Sequence, residues 1–195
     1  MNGGVIMWLI WVILGIVVII IIFLAGTYNG LVNARNVVKN AWAQIDVQLK
    51  RRYDLIPNLV ETVKGYKNFE RDTLEAVTKA RTAAQTASTS GDIAARSAAE
   101  GELTGALSRL MVVVEKYPDL KANQNFLALQ EELTSTENKI SFSRQAYNDQ
   151  VLQYNNKTQQ FPSNIVAGMF GFNKEQAFLQ ATESDAEKKA PKVSF

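Results

Sequence analysis

The stretch VIMWLIWVILGIVVIIIIFLA, residues 5–25, carries no charged side chain and one glycine, and the fold of the remaining chain is read outward from it. At about 1.5 Å per residue a helix over this run is ~31 Å long, the thickness of a hydrocarbon core, so a single membrane-spanning helix is predicted. A cleaved signal peptide needs a basic leading segment, a shorter apolar run and a small-residue cleavage site. Residues 1–4 carry no Lys or Arg, and Tyr28-Asn29-Gly30 is a poor cleavage site, so a retained anchor is expected. Trp8 and Trp11, three apart on one face, suit one headgroup belt and Tyr28 the other. The first cations, Arg35, Lys39, Lys50, Arg51 and Arg52, lie after the run, which orients residues 1–4 outside and the body in the cytoplasm.

The chain beyond residue 25 is long enough for one domain with a real core. The net charge of +2 arises from interspersed acids and bases, so no basic stripe points to nucleic acid. The chain has neither Cys nor His. Their absence excludes disulfides, Ser-His-Asp and Cys-His catalysis, the usual zinc ligand sets and the Glu-x-x-His di-iron bundle. No phosphate-binding glycine loop is present. The expectation is a protein without catalytic residues, metal or cofactor.

From residue 27 onward apolar residues recur at three and four, the period of helices buried on one face. Leu31, Ala34, Val38, Ala41, Trp42, Ile45, Leu49, Tyr53 and Ile56 continue the anchor as a first helix. Pro57 is expected to end or kink it, with Asp54 capping a second helix from 57 to 87. Residues 88–92 read as a turn with Asp92 as the next cap, and a third helix carries Leu103, Leu107, Leu110 and Val114 to a stop at Pro118. Gly101 and Gly105 within it suggest close helix packing. A fourth helix from 123 to 160 carries Phe126, Leu129, Leu133, Ile140, Tyr147, Val151, Tyr154 and finally Phe161. No strand pattern appears. The fold class is therefore all-α, a transmembrane helix running into an up-and-down antiparallel four-helix bundle over residues 27–160. Residues 161–172 are an apolar segment near the membrane, expected to pack beneath the bundle, with docking on the bilayer as the alternative. Residues 173–195 read as a polar, Ala/Glu/Lys-rich tail in which Val193 and Phe195 are candidates to dock.

Two features depart from a plain bundle. Glu137 and Arg144 fall inside the apolar stripe of the fourth helix, and buried charges need partners. Arg52 is expected to meet Glu132 or Glu137, and Asp46 to meet Arg144, as structural ion pairs. On the other face of the first helix Asn29, Asn33, Asn36, Asn40, Gln44 and Gln48 form a line of uncharged amides. A solvated face ordinarily carries Lys and Glu, better helix formers than Asn. Such a row can hydrogen-bond a second chain, which makes it a candidate oligomer face.

The blocks Tyr28-Asn29-x-Leu31-Val32-x-x-Arg35, Ala41-Trp42-x-x-Ile45-Asp46-Val47-Gln48-Leu49-Lys50-Arg51-Arg52 and Asp54-Leu55-Ile56-Pro57-Asn58-Leu59-Val60 resemble the LemA proteins, single-pass bacterial membrane proteins with a helical body. So do Tyr117-Pro118-Asp119-Leu120-Lys121, Leu129-Gln130-x-x-Leu133-x-x-x-Glu137-x-x-Ile140, Arg144-x-x-Tyr147-Asn148 and Phe161-Pro162-Ser163-Asn164. The resemblance implies an outside N-terminus and a cytoplasmic four-helix body, but little about activity, and the expected location is the bacterial inner membrane. Some relatives are implicated in organising internal membranes of magnetosome-forming bacteria. The expected partners are the lipid bilayer and further copies of the chain, in a self-assembling scaffold. The alternative is a monomeric adaptor for another membrane protein, such as a protease. A hydrolase using Glu131, Glu132 and Glu137 is least favoured.

Overall fold

The computed structural model describes residues 3–66 and 70–175. Among them every regular element is helical: α1 (Gly3–Lys64), α2 (Arg71–Ser88), α3 (Ile93–Val114), α4 (Pro118–Lys121), α5 (Gln124–Gln159) and α6 (Ser163–Phe170). The protein is all-α with an N-terminal apolar helix, as its periodicity predicts. The tail beyond residue 175, with Val193 and Phe195, lies outside the described residues.

α1 runs without interruption from the apolar stretch to Lys64, with Pro57 inside it. The expectation that Pro57 ends the helix and Asp54 caps the next is therefore corrected. A proline withholds one N–H, here the donor that would meet the carbonyl of Tyr53 four residues earlier. That carbonyl instead accepts a hydrogen bond from Arg81 Nε of α2 at 2.7 Å. The orphaned acceptor is satisfied from a neighbouring helix, and α1 continues for about two turns more.

The chain divides into two compact units, each with its own buried side chains. The first comprises residues 3–40 and 149–175 of the described chain. Its apolar run is exposed from Ile6 to Phe23. Below the run, Leu31 packs with Val166 and Ala167 of α6, flanked by Leu24 and Phe172. Phe161, expected on the buried stripe of the fourth helix, stands instead 80% exposed in the turn between α5 and α6.

The second unit comprises residues 41–148. Its core takes Ile45, Leu49, Tyr53, Ile56, Leu59 and Val63 from α1, and Leu74, Val77 and Ala84 from α2. Leu103, Leu110 and Val114 of α3 and Phe126, Leu133, Ile140 and Tyr147 of α5 complete it. α2 and α3 pack together through the expected turn. There Gly91 has φ 75°, a conformation glycine adopts without strain, and Asp92 caps α3 by accepting from Ala94 N at 2.8 Å and Ala95 N at 3.2 Å. Pro118 opens α4 at its first turn, and Asn123 Oδ1 accepts from Phe126 N at 3.1 Å to start α5. Gly101 and Gly105 are exposed, and a methyl group at either would meet open space, so they serve no close helix approach among the described residues.

Candidate functional site

A layer of charge lies inside the second unit. Arg52 of α1 is buried, with its guanidinium 3.3 Å from Glu100 of α3 and 3.1 Å from Glu137 of α5, and it donates to Thr104 Oγ1 at 2.8 Å. Tyr53 donates its phenolic hydrogen to the other oxygen of Glu100. Burial first, and that hydrogen bond next, push the phenol above its ordinary value of 10.0. One turn before Glu100, Arg96 is buried, stacks 4.8 Å from the Trp42 ring and pairs with Asp46. Trp42 meets Tyr147 edge to face at 5.1 Å. Burial lowers the Arg144 guanidinium below its ordinary value, and the carboxylates of Glu100 and Glu137 act against that.

The structure thus brings Arg52 and Glu137 together, and it places Arg96 of α3 on Asp46. Glu132 pairs with Arg51 rather than Arg52. Arg96 and Glu100 escape a reading of the sequence by stripes alone, although a signal is available. Extending the stripe Leu103, Leu107, Leu110 backward at steps of three and four lands on Glu100 and Arg96, the same pattern that singles out Glu137 and Arg144 on α5. Chemically the layer can fix which helices meet and at what register, because each buried charge needs its partner. Among the described residues no cluster of three or more His, Cys, Asp or Glu is placed to hold a metal.

The amide line divides between the units. Asn29, Asn33, Asn36 and Asn40 are exposed in the first. Gln44 and Gln48 belong to the second, where with Ala41 they line an open groove of about 1060 Å³ against α5. The α5 side carries Leu127 and Phe142, 46% and 73% exposed. Glu131 and Lys139 stand between them, and the Gln48 Oε1 atom is buried without a hydrogen-bond partner.

In the first unit, Trp8 and Trp11 are exposed near the start of the apolar run. Tyr28 lies just past its end, edge to face with Phe170 at 4.9 Å and Phe172 at 5.6 Å. α6 is held by its own ends. The one hydroxyl hydrogen of Ser163 is shared between the carbonyls of Lys157 and Gln160, 2.6 Å and 2.9 Å from Oγ, closing the end of α5. Gly171, with φ 68°, turns the chain back so that Phe172 N reaches Ala167 O at 2.9 Å. Beyond it Tyr154 donates to Asn173 O at 3.0 Å, and Asn155 exchanges two 2.9 Å hydrogen bonds with the backbone of Glu175. Burial raises the Tyr154 phenol, with Arg35 acting against it.

The sequence model of the LemA family matches residues 41–195. The chain belongs to the LemA family. The match begins where the second unit begins, so the charged layer and the groove fall within it and the apolar run outside. The chain is similar to Protein LemA of Metamycoplasma hominis, 29% identical over 142 residues, covering 73% of this chain and 64% of that protein. It spans a little under two thirds of that relative's length. It is also similar to Magnetosome protein MamQ 2 of Paramagnetospirillum magneticum, 25% identical over 192 residues, covering 87% of this chain and 71% of the relative. Magnetosome protein MamQ of Magnetospirillum gryphiswaldense is 22% identical over 189 residues, covering 85% and 70%. With an N-terminal helix long and apolar enough to cross a membrane, this LemA chain reads as a membrane-associated protein.

Proposed function

We propose that this LemA chain is a single-pass scaffold of the bacterial inner membrane, assembling with copies of itself through the groove of its body. α1 supplies the anchor. Residues 41–64, α2, α3 and α5 form an up-and-down four-helix bundle, a topology supported by Arg52 reaching α3 and α5 and by Arg81 of α2 reaching the α1 backbone. The observation that carries self-assembly is the groove. Exposed Phe142 and Leu127 stand beside the exposed amide of Gln44, which can give and accept hydrogen bonds with the same amide of a second copy. Glu131 and Lys139 provide both signs of charge about two turns apart on the same helix, so copies can meet without net repulsion. Burying Phe142 contributes about 2 kcal/mol. One such contact is weak alone, but anchors confined to a plane raise the effective concentration of each chain around the next.

Light scattering of the protein in mild detergent tests this. A multimer that falls to the mass of one chain with Phe142→Glu supports the scaffold. A single chain in the unaltered protein ends it and favours the monomeric adaptor, in which the groove takes another membrane protein.

A further inference from the structure

α6 has two apolar faces where packing uses one. Val166 and Ala167 are buried against Leu31 in the small core that Leu24 and Phe172 flank. Ile165 and Met169, four apart and so on one line of the helix, point away from that core and are 52% and 66% exposed. Phe161 precedes them at 80% exposure, and Phe170 leans on Tyr28 with 55% of its surface free. Residues 161–172 contain no Asp, Glu, Lys or Arg.

The position of this second face identifies what covers it. α6 packs against α1 between Leu24, inside the apolar run, and Leu31, which at about 1.5 Å per residue lies roughly 10 Å further along the helix. Around a helix that crosses a bilayer, those residues occupy the headgroup layer at the end of the hydrocarbon core. A helix held there with an uncovered apolar face meets lipid before it meets anything else, and a segment without charges enters at little electrostatic cost. Lys157 and Lys174 of the same unit are exposed, and Arg35 stands one turn beyond Leu31, so cations flank α6 where lipid phosphates would lie. A protein partner has no comparable support, since its position would have to coincide with the membrane surface.

We propose that α6 is a membrane-surface foot: it lies in the headgroup layer of the bilayer that α1 crosses, inserting Ile165, Met169 and the Phe161 ring among the acyl chains. The foot rests on the anchor reading, and the test separates the two. The chain has no cysteine, so single-cysteine variants Ile165→Cys, Met169→Cys, Ile20→Cys in the apolar run and Lys79→Cys on exposed α2 can each carry an environment-sensitive NBD fluorophore. The full chain is reconstituted in phosphatidylcholine vesicles containing a minority of phosphatidylglycerol, with and without phosphatidylcholine bearing a nitroxide high on its acyl chain. The expected result is blue-shifted emission and loss of fluorescence to the nitroxide lipid at positions 165, 169 and 20, with none at 79. Quenching at 20, with water-like emission and quenching by aqueous iodide at 165 and 169, overturns the foot and leaves the anchor standing. Protection at 165 and 169 from both quenchers also overturns it, by showing that protein covers this face. An unquenched position 20 removes the anchor, and the foot with it.

Discussion

Arg52 fixes the interior of the body because two carboxylates from two other helices share its one guanidinium. Glu100 is buried and Glu137 is 42% exposed, so the dependence on Arg52 is unequal: Glu137 can turn to water and Glu100 cannot. Arg52→Met leaves Glu100 as a buried anion without its cation and is expected to destabilise the protein by about 3–5 kcal/mol, read as a lower urea midpoint. Arg51→Met breaks only the exposed pair with Glu132 and should cost under about 1 kcal/mol in the same measurement. Swapping charges as Arg52→Glu with Glu137→Arg should recover only part of the loss, because Glu100 still faces the new carboxylate. Complete recovery would mean that Glu100 contributes nothing. Tyr53, bonded to Glu100, adds a pH signature. Its folded-state value is raised above 10.0, so beyond that pH the unfolded chain has released a proton that the folded chain keeps. The stability contributed by this group is complete below pH 10 and is lost as the pH climbs towards the folded-state value. Tyr53→Phe should flatten the fall of the urea midpoint above pH 10, while tyrosinate absorbance of the folded native protein lags that of the unfolded chain.

The break at Pro57 that the sequence suggests and the structure lacks is an effect between elements. Proline fixes its own φ and removes one donor, both local facts visible in the sequence, but the donor that replaces it, Arg81, is 24 positions away on α2. A double-mutant cycle exposes the link. Arg81→Met should cost about 1–2 kcal/mol in the native background, where the Tyr53 carbonyl loses its partner. In a Pro57→Ala background the restored N–H serves that carbonyl, so the same change should cost distinctly less; equal costs in both backgrounds would refute the compensation. The stripe Leu31, Val38, Ile45, Leu49, Ile56 is legible in the sequence because burial on one helix face repeats at a fixed step, and all five are buried. Asp92 is legible because a capping carboxylate acts within three residues. The pairing of Asp46 with Arg96 is not, since it depends on which face α3 presents. Nor is α6: eight residues with apolar side chains on both faces carry no period, and only packing on Leu31 distinguishes one face from the other.

At the scale of the whole molecule, the side of the bilayer that receives the body is a prediction from the charges that flank the apolar run. Residues 1–4 carry no Lys or Arg, whereas Arg35 and Lys39 follow the apolar run within about 15 residues and Lys50, Arg51 and Arg52 come next. Cations near a span are retained on the cytoplasmic side during insertion, so the body should be cytoplasmic and residues 1–4 outside. The absence of native cysteine gives a background-free assay. A membrane-impermeant maleimide added to intact cells should label Gly4→Cys and should reach Glu102→Cys, exposed on α3, only after lysis. The bias itself can then be inverted: Asn2→Lys and Gly4→Lys combined with Arg35→Gln and Lys39→Gln should place a measurable fraction of chains the other way, so that Glu102→Cys in that background labels in intact cells. Labelling of Glu102→Cys in intact cells without those charge changes would put the body outside. α6 would then meet the opposite leaflet, and a scaffold on the cytoplasmic surface would be ruled out.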